Sequence, residues 1–160
     1  MKLNIFCVGK LKEEAERSIV ARYLERFGQI GAGMGLSLAG ITELIESRAA
    51  SADARKAAEG AELRRRLPEG ARVVALDEHG RTMTSEDFAE TLRRWQDEGV
   101  RSVAFVIGGP DGLDLALVKD ADLALSLGRL TLPHGLARAV LAEQLYRAAT
   151  ILARHPYHRA

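Results

Sequence analysis

The apolar run Val103-Ala104-Phe105-Val106-Ile107 stops at Gly108-Gly109-Pro110-Asp111-Gly112. A short run rich in β-branched residues and cut off by glycine and proline reads as a strand buried on both faces. Strands of that type belong to parallel sheets covered by helices. Where one ends in a glycine-rich turn, open α/β sheets bind nucleotide-like ligands. Leu3–Val8, Leu36–Leu44, Arg72–Leu76 and Leu123–Leu127 are further strand candidates.

Helical patterns separate these runs. Ile19, Val20, Tyr23, Leu24 and Phe27 predict an amphipathic helix over Glu13–Phe27, ended by Gly28 or Gly31. Ser51–Leu67, rich in Ala, Glu and Arg, predicts a solvent-facing helix whose Arg64-Arg65-Arg66 suit the negative helix end. Thr84 or Ser85 caps the next helix, with Asp87 placed for a capping box and Phe88, Leu92 and Trp95 on one face. A short helix over Asp114–Lys119 comes next. Pro133 sits near the first turn of the last helix, where a missing N–H costs little. Val140, Leu141, Leu145, Ala148 and Leu152 form that helix's stripe, and Pro156 stops it after about Arg154. Strand and helix alternate throughout, which predicts one α/β domain over residues 1–160, a parallel sheet with helices on both faces.

Charge is unevenly distributed. The chain carries a net charge of +1, yet residues 129–160 hold five arginines, no lysine and Glu143 as their one carboxylate. Arginine without lysine favours directed, forked contacts to phosphate or carboxylate over a diffuse positive cloud; ordinary solvated arginines are the plainer reading. Lone Cys7 excludes an internal disulfide and a thiol-rich zinc site. No apolar stretch approaches the roughly 20 residues of a membrane span, and the first nine residues read as a strand, so cytoplasm and no membrane are expected.

The chemistry concentrates at three strand ends: Leu76-Asp77, Gly108-Gly109-Pro110 and Ser126–Pro133. Adjacent glycines let a flat ring approach the backbone, and Leu130, Thr131 and Leu132 offer apolar walls with backbone donors and acceptors. Apart from Arg129 these turns carry little charge to balance a pyrophosphate, so they fit a nucleoside better than a dinucleotide. No metal is expected. The acidic turn at Asp77-Glu78 lacks a second ligand cluster, and Pro156 breaks the helix that would align His155 with His158.

IGGPDGL, then SLGRLTLPHGLARAVLAEQLYRA, then HPYHR at the end carry a resemblance, which MKLNIFCVGK and VVALDEHG extend over the whole chain. In this order they resemble the bacterial ribosomal RNA large-subunit methyltransferase H family, of the SPOUT class. The resemblance implies a parallel-sheet SPOUT fold with a C-terminal trefoil knot, acting as a homodimer in which each site is completed by the partner's tail. It implies transfer of the methyl of S-adenosylmethionine to N3 of a pseudouridine in large-subunit ribosomal RNA, on the assembled ribosome. A transfer-RNA methyltransferase, or a non-catalytic ribosome-associated factor of the same fold, is the alternative. Carried onto this chain, the donor site falls on Leu76, Gly108, Gly109, Gly128, Arg129, Leu130, Thr131, Leu132 and Pro133. The family often has a small polar residue where Gly128 stands, which leaves contact there to the backbone. Tyr157, His158 and Arg159 would handle the substrate base or its phosphates, with His158 first in line to take the proton. Arg138 and Arg147, with Arg159, are expected to face RNA phosphates; a pairing of Arg147 with Glu143 one turn earlier is the competing expectation.

Overall fold

A computed structural model describes residues 1–157 of the chain. Strands β1 (Lys2–Val8), β2 (Ser37–Leu44), β3 (Arg72–Thr82), β4 (Ser102–Ile107) and β5 (Leu123–Ser126) pair in one sheet of order β2-β1-β4-β3-β5. Every pairing is parallel. The connecting helices are α1 (Glu14–Gly31), α2 (Ala52–Arg66), α3 (Ser85–Asp97), α4 (Leu115–Asp120) and α5 (His134–Leu152).

Side chains alternate across the sheet, so each strand feeds two cores. Leu3, Ile5 and Cys7 of β1 and Val103, Phe105 and Ile107 of β4 pack under α1, α3 and α5. Phe6, Val8, Ala104 and Val106 point the other way, against Leu63 of α2 and Leu117 of α4. The expected helices on both faces are therefore present. Cys7 is fully buried, and burial pushes its thiol up to about 12, which leaves it a packing residue at neutral pH.

Three expectations change in detail. β3 does not finish at Leu76. Leu76 and Arg81 both pair with Leu125, so residues 77–80 bulge out before Thr82 resumes the ladder opposite Ser126. Gly80 allows this, because a β-carbon there would lie 2.7 Å from the carbonyl of Ala124. α2 is not simply solvent-facing: Glu59, Gly60 and Leu63 are buried. Its triple arginine is engaged internally, Arg65 and Arg66 with Glu62, and Arg64 with Asp114 and Asp120. α5 stops at Leu152, ahead of Pro156. Arg154 takes the left-handed conformation (φ 53°), its N–H bonds Ile151 O, and the N–H of His155 bonds Thr150 O. This is the Schellman arrangement, and it turns the tail back along the helix.

α3 begins as expected. Thr84 and Asp87 form a reciprocal capping box, and Phe88, Leu92 and Trp95 are buried. α5 is the most enclosed helix. It runs between α1 and α3 and buries Leu141, Leu145, Tyr146, Ala148 and Ala149.

Candidate active site

Strand order decides what meets at the carboxyl edge. β3 lies between β4 and β5, and Leu76 is paired with Ile107 on one side and Leu125 on the other. The backbone leaves β4 as Gly108-Gly109 and leaves β5 through residues 127–133, so Leu76 stands between the starts of the two loops. Strands distant in sequence thereby end at one edge of the sheet, the edge at which open α/β sheets bind ligands.

The two glycines have internal reasons to be glycine. A β-carbon on Gly108 would stand 2.5 Å from the carbonyl carbon of Gly112. One on Gly109 would point at Val8, 3.0 Å from its Cγ1, and toward Glu59. Both directions lead into the protein. Gly108→Ala should therefore cost about 1–3 kcal/mol as an overpacked turn. Urea unfolding measures that loss, and an unchanged midpoint would show that the turn has slack.

The loop after β5 is shaped by Ser126, buried at the strand end. Its hydroxyl donates to Gly128 O at 2.8 Å and accepts from Gly128 N at 3.3 Å. Gly128 has φ +140°, a conformation that side chains disfavour, which explains glycine there in place of a small polar residue. Thr131 Oγ1 donates to Glu78 Oε2 at 2.9 Å, tying the loop to the bulge of β3. Arg129 and Pro133 are exposed, Leu132 packs partly on the core, and Leu130 stands 81% exposed at the loop apex. An apolar side chain so presented, among backbone polar groups and one arginine, suits a nucleoside face. A cavity of about 230 Å³ adjoins this loop at Leu127 and Gly128 and runs between Ser85, Phe88, Leu141 and Gln144. Leu76, Gly108 and Gly109 lie outside it.

The arginines divide. Arg147 follows the competing expectation: its Nη2 lies 2.6 Å from Glu143 Oε1, and its guanidinium stacks 5.0 Å from the Tyr157 ring centroid. Hydrogen bonding to Glu143, opposed by burial, raises its already high pKa, so it stays charged. Arg138 does not face outward. It is 3% exposed; Nη1 meets Glu43 Oε1 at 2.6 Å, and Nη2 donates to Gly9 O at 2.5 Å and Val8 O at 3.3 Å. The helix needs a long cation here to cap the carbonyls at the end of β1, so the expected phosphate contact gives way to an internal one.

Tyr157 lies back on α5. Its ring centroid is 4.6 Å from that of Tyr146, and its hydroxyl donates to Glu143 Oε1 at 3.1 Å. Burial, then hydrogen bonding to Tyr23 and Glu143, raises its pKa, so it stays a neutral donor. His158 and Arg159 lie outside the described residues. Sequence reasoning named Ser126 and Glu78 only as members of strand-end turns, without their side-chain contacts, and missed Arg55 and Glu59; except for Ser126, the partners of these polar residues are remote in the chain. Among the described residues no group of three or more His, Cys, Asp or Glu is arranged to hold a metal, and no helix is long and apolar enough to cross a membrane.

A parallel sheet of this order, with strand-end loops gathered beside β3, defines the class: the family model described as "Predicted SPOUT methyltransferase" matches residues 1–158. A protein of Brucella anthropi named "Ribosomal RNA large subunit methyltransferase H" is 49% identical over 160 residues, covering all of both chains. One of the same name from Sinorhizobium fredii is 50% identical over 160 residues, again covering all of both. The chain belongs to this ribosomal RNA large subunit methyltransferase H family. A solved structure, a probable methyltransferase from Bordetella pertussis, shares the fold at TM-score 0.57 and 15% identity, over 92% of this chain and 95% of that one.

Proposed function

We propose that this chain is a homodimeric, S-adenosylmethionine-dependent methyltransferase that modifies N3 of a pseudouridine in large-subunit ribosomal RNA, on the assembled ribosome in the cytoplasm. The observation that carries the reading is full-length identity of about half to relatives named for that RNA. In this reading the chain is one SPOUT domain with a C-terminal trefoil knot, and it needs no metal.

The donor supplies an activated methyl on a sulfonium. N3 of the base attacks that methyl carbon as the carbon–sulfur bond breaks; sulfur leaves as a neutral thioether, and the N3 proton passes to a base. The chain's task is placement more than chemical activation. Leu76, Gly108, Gly109 and residues 128–133 hold the donor through apolar contact and backbone polar groups, with Leu130 covered once the site fills. Tyr157 and Arg147, set by Glu143, present the acceptor nucleotide. In this reading Arg159 takes its phosphate and His158 accepts the proton.

Reach supports the dimer. Tyr157 bonds Glu143, nine residues along α5 from His134, or roughly 14 Å from the donor loop at 1.5 Å per residue. Tyr157 lying there stands away from its own donor loop, which in this reading a second copy serves.

The test is transfer of labelled methyl from S-adenosylmethionine to assembled ribosomes, free subunits, naked ribosomal RNA and transfer RNA, with the product nucleoside mapped by mass. Label in a large-subunit pseudouridine, strongest on assembled ribosomes, is expected. Label confined to transfer RNA, or none on any substrate, would sink the reading.

A further inference from the structure

We propose that Arg55 of α2 is a positioning residue for the methyl donor, because its two-point pairing with Asp111 fixes the Gly108–Gly112 turn in the shape that receives it. The inference rests on the reading of Gly108 and Gly109 as donor contacts.

The turn has little to hold it by itself. Gly112 N donates to Gly109 O at 3.0 Å, and Gly112 sits at φ +85°. Beyond that bond, its apex is anchored through Asp111. Arg55 Nε lies 2.6 Å from Asp111 Oδ2, and Nη2 lies 3.1 Å from Oδ1. This is the forked geometry in which a guanidinium fixes both the position and the plane of a carboxylate. The third arm, Nη1, donates to Ala49 O at 3.1 Å, so the same side chain joins the glycine turn to the loop between β2 and α2. Arg55 also holds the Asp111 carboxyl below its usual range, so the pair persists at neutral pH.

Further residues of α2 continue the work. Glu59, one turn on, is buried; its Oε1 accepts from Ser47 N at 2.8 Å, while Oε2 lies 3.6 Å from where a Gly109 β-carbon would stand. Gly60 lets the helix approach the end of the turn, since its β-carbon would come within 2.6 Å of Asp114 Cβ. Arg64 then pairs with Asp114 at 3.2 Å. Residues 55 and 59 lie on one side of α2 and residues 60 and 64 on another, and each meets the turn or the chain directly bordering it. A helix with few large apolar residues is thus a template for the turn.

Arg55 and Asp111 are about 30% exposed, at 31% and 27% of their side-chain surface. Partly exposed pairs contribute little to global stability. Donor affinity and stability can therefore be read apart. The experiment is calorimetric titration of the full-length protein with S-adenosylmethionine, alongside thermal unfolding, for wild type, Arg55→Ala, Asp111→Asn, the double variant and Arg55→Lys. Arg65→Ala, which breaks a pair on the exposed side of the same helix, is the control.

Loss of preorganisation should raise the donor Kd about tenfold in each single variant, with the double variant no worse than either. Lysine, which offers one point in place of two, should fall between. The KM for donor should rise while kcat at saturating donor holds, and the unfolding midpoint should stay put. Wild-type donor affinity in Arg55→Ala, or single effects that add in the double variant, would overturn the proposal. Hydrogen exchange with and without donor identifies a deeper failure. If donor binds but leaves amides 108–113 unprotected, or does not bind at all, the donor-site reading itself is wrong and this inference goes with it.

Discussion

Arg138→Ala is expected to lower stability by about 3 kcal/mol, the low end for a broken buried ion pair because Glu43 is itself 33% exposed. For a chain of this size that is a drop in Tm of roughly 6–12 °C. The loss has two sources. Glu43 keeps its charge without its closest cation, and the carbonyls of Val8 and Gly9 lose the donor that caps them inside the protein. Arg147→Ala, which breaks a partly exposed helical pair, should cost about 1 kcal/mol or less. Chemical denaturation of the two variants separates them. Equal, small losses would mean that Arg138 is not the strut described here. The pH dependence has a definite sign. Burial works to raise the Glu43 carboxyl, but the Leu11 N–H and the Arg138 guanidinium outweigh it and hold its pKa below 4.5. A depressed carboxylate stabilises the fold above its unfolded value and loses that contribution as pH falls through the folded one. The gap between wild type and Arg138→Ala should therefore be full above pH 4.5 and narrow below it.

The same residue shows where sequence reading stopped. Helical spacing placed Arg138 on α5, and the arginine-rich stretch 129–160 made phosphate the natural partner. Its true partner, Glu43, lies 95 residues away and is brought near only by the pairing of β1 with β2. Arg55 and Asp111, 56 residues apart, were illegible for the same reason. Local features fared better. The run Val103–Ile107 announced β4, Thr84 and Asp87 announced the start of α3, and the alternation of elements announced the parallel sheet. β3 was cut short because Asp77-Glu78-His79-Gly80 reads as a turn. These residues instead form a bulge in a strand that resumes because β5 offers a further edge to pair with. α2 looked solvent-facing because, apart from Leu63, its inward contacts are made by Arg, Glu and Gly, which carry no apolar periodicity. Of the three expected strand ends, those of β4 and β5 were legible, that of β3 was placed too early, and the contacts of α2 with the glycine turn were not foreseen.

Deleting residues 157–160 should reduce methyl transfer at least 100-fold, the scale of effect when reacting groups lose their placement, and should leave donor affinity unchanged. The fold should tolerate the cut, since Tyr157 rests on the outside of the Tyr146 cluster and α5 is already closed by the turn at Arg154. Single-chain deletions cannot say whose site the tail serves, but mixed dimers can. One chain would lack the tail, and its partner would carry Gly108→Ala, chosen to collapse the donor turn. If the tail acts across the dimer, the intact donor site of the first chain meets the intact tail of the second, and about half of wild-type turnover survives. If the tail acts within its own chain, each subunit lacks one essential half and turnover vanishes. The conformation seen here favours survival. Tyr157, bonded to Glu143, sits about 14 Å from the start of α5, away from the donor loop of its own chain.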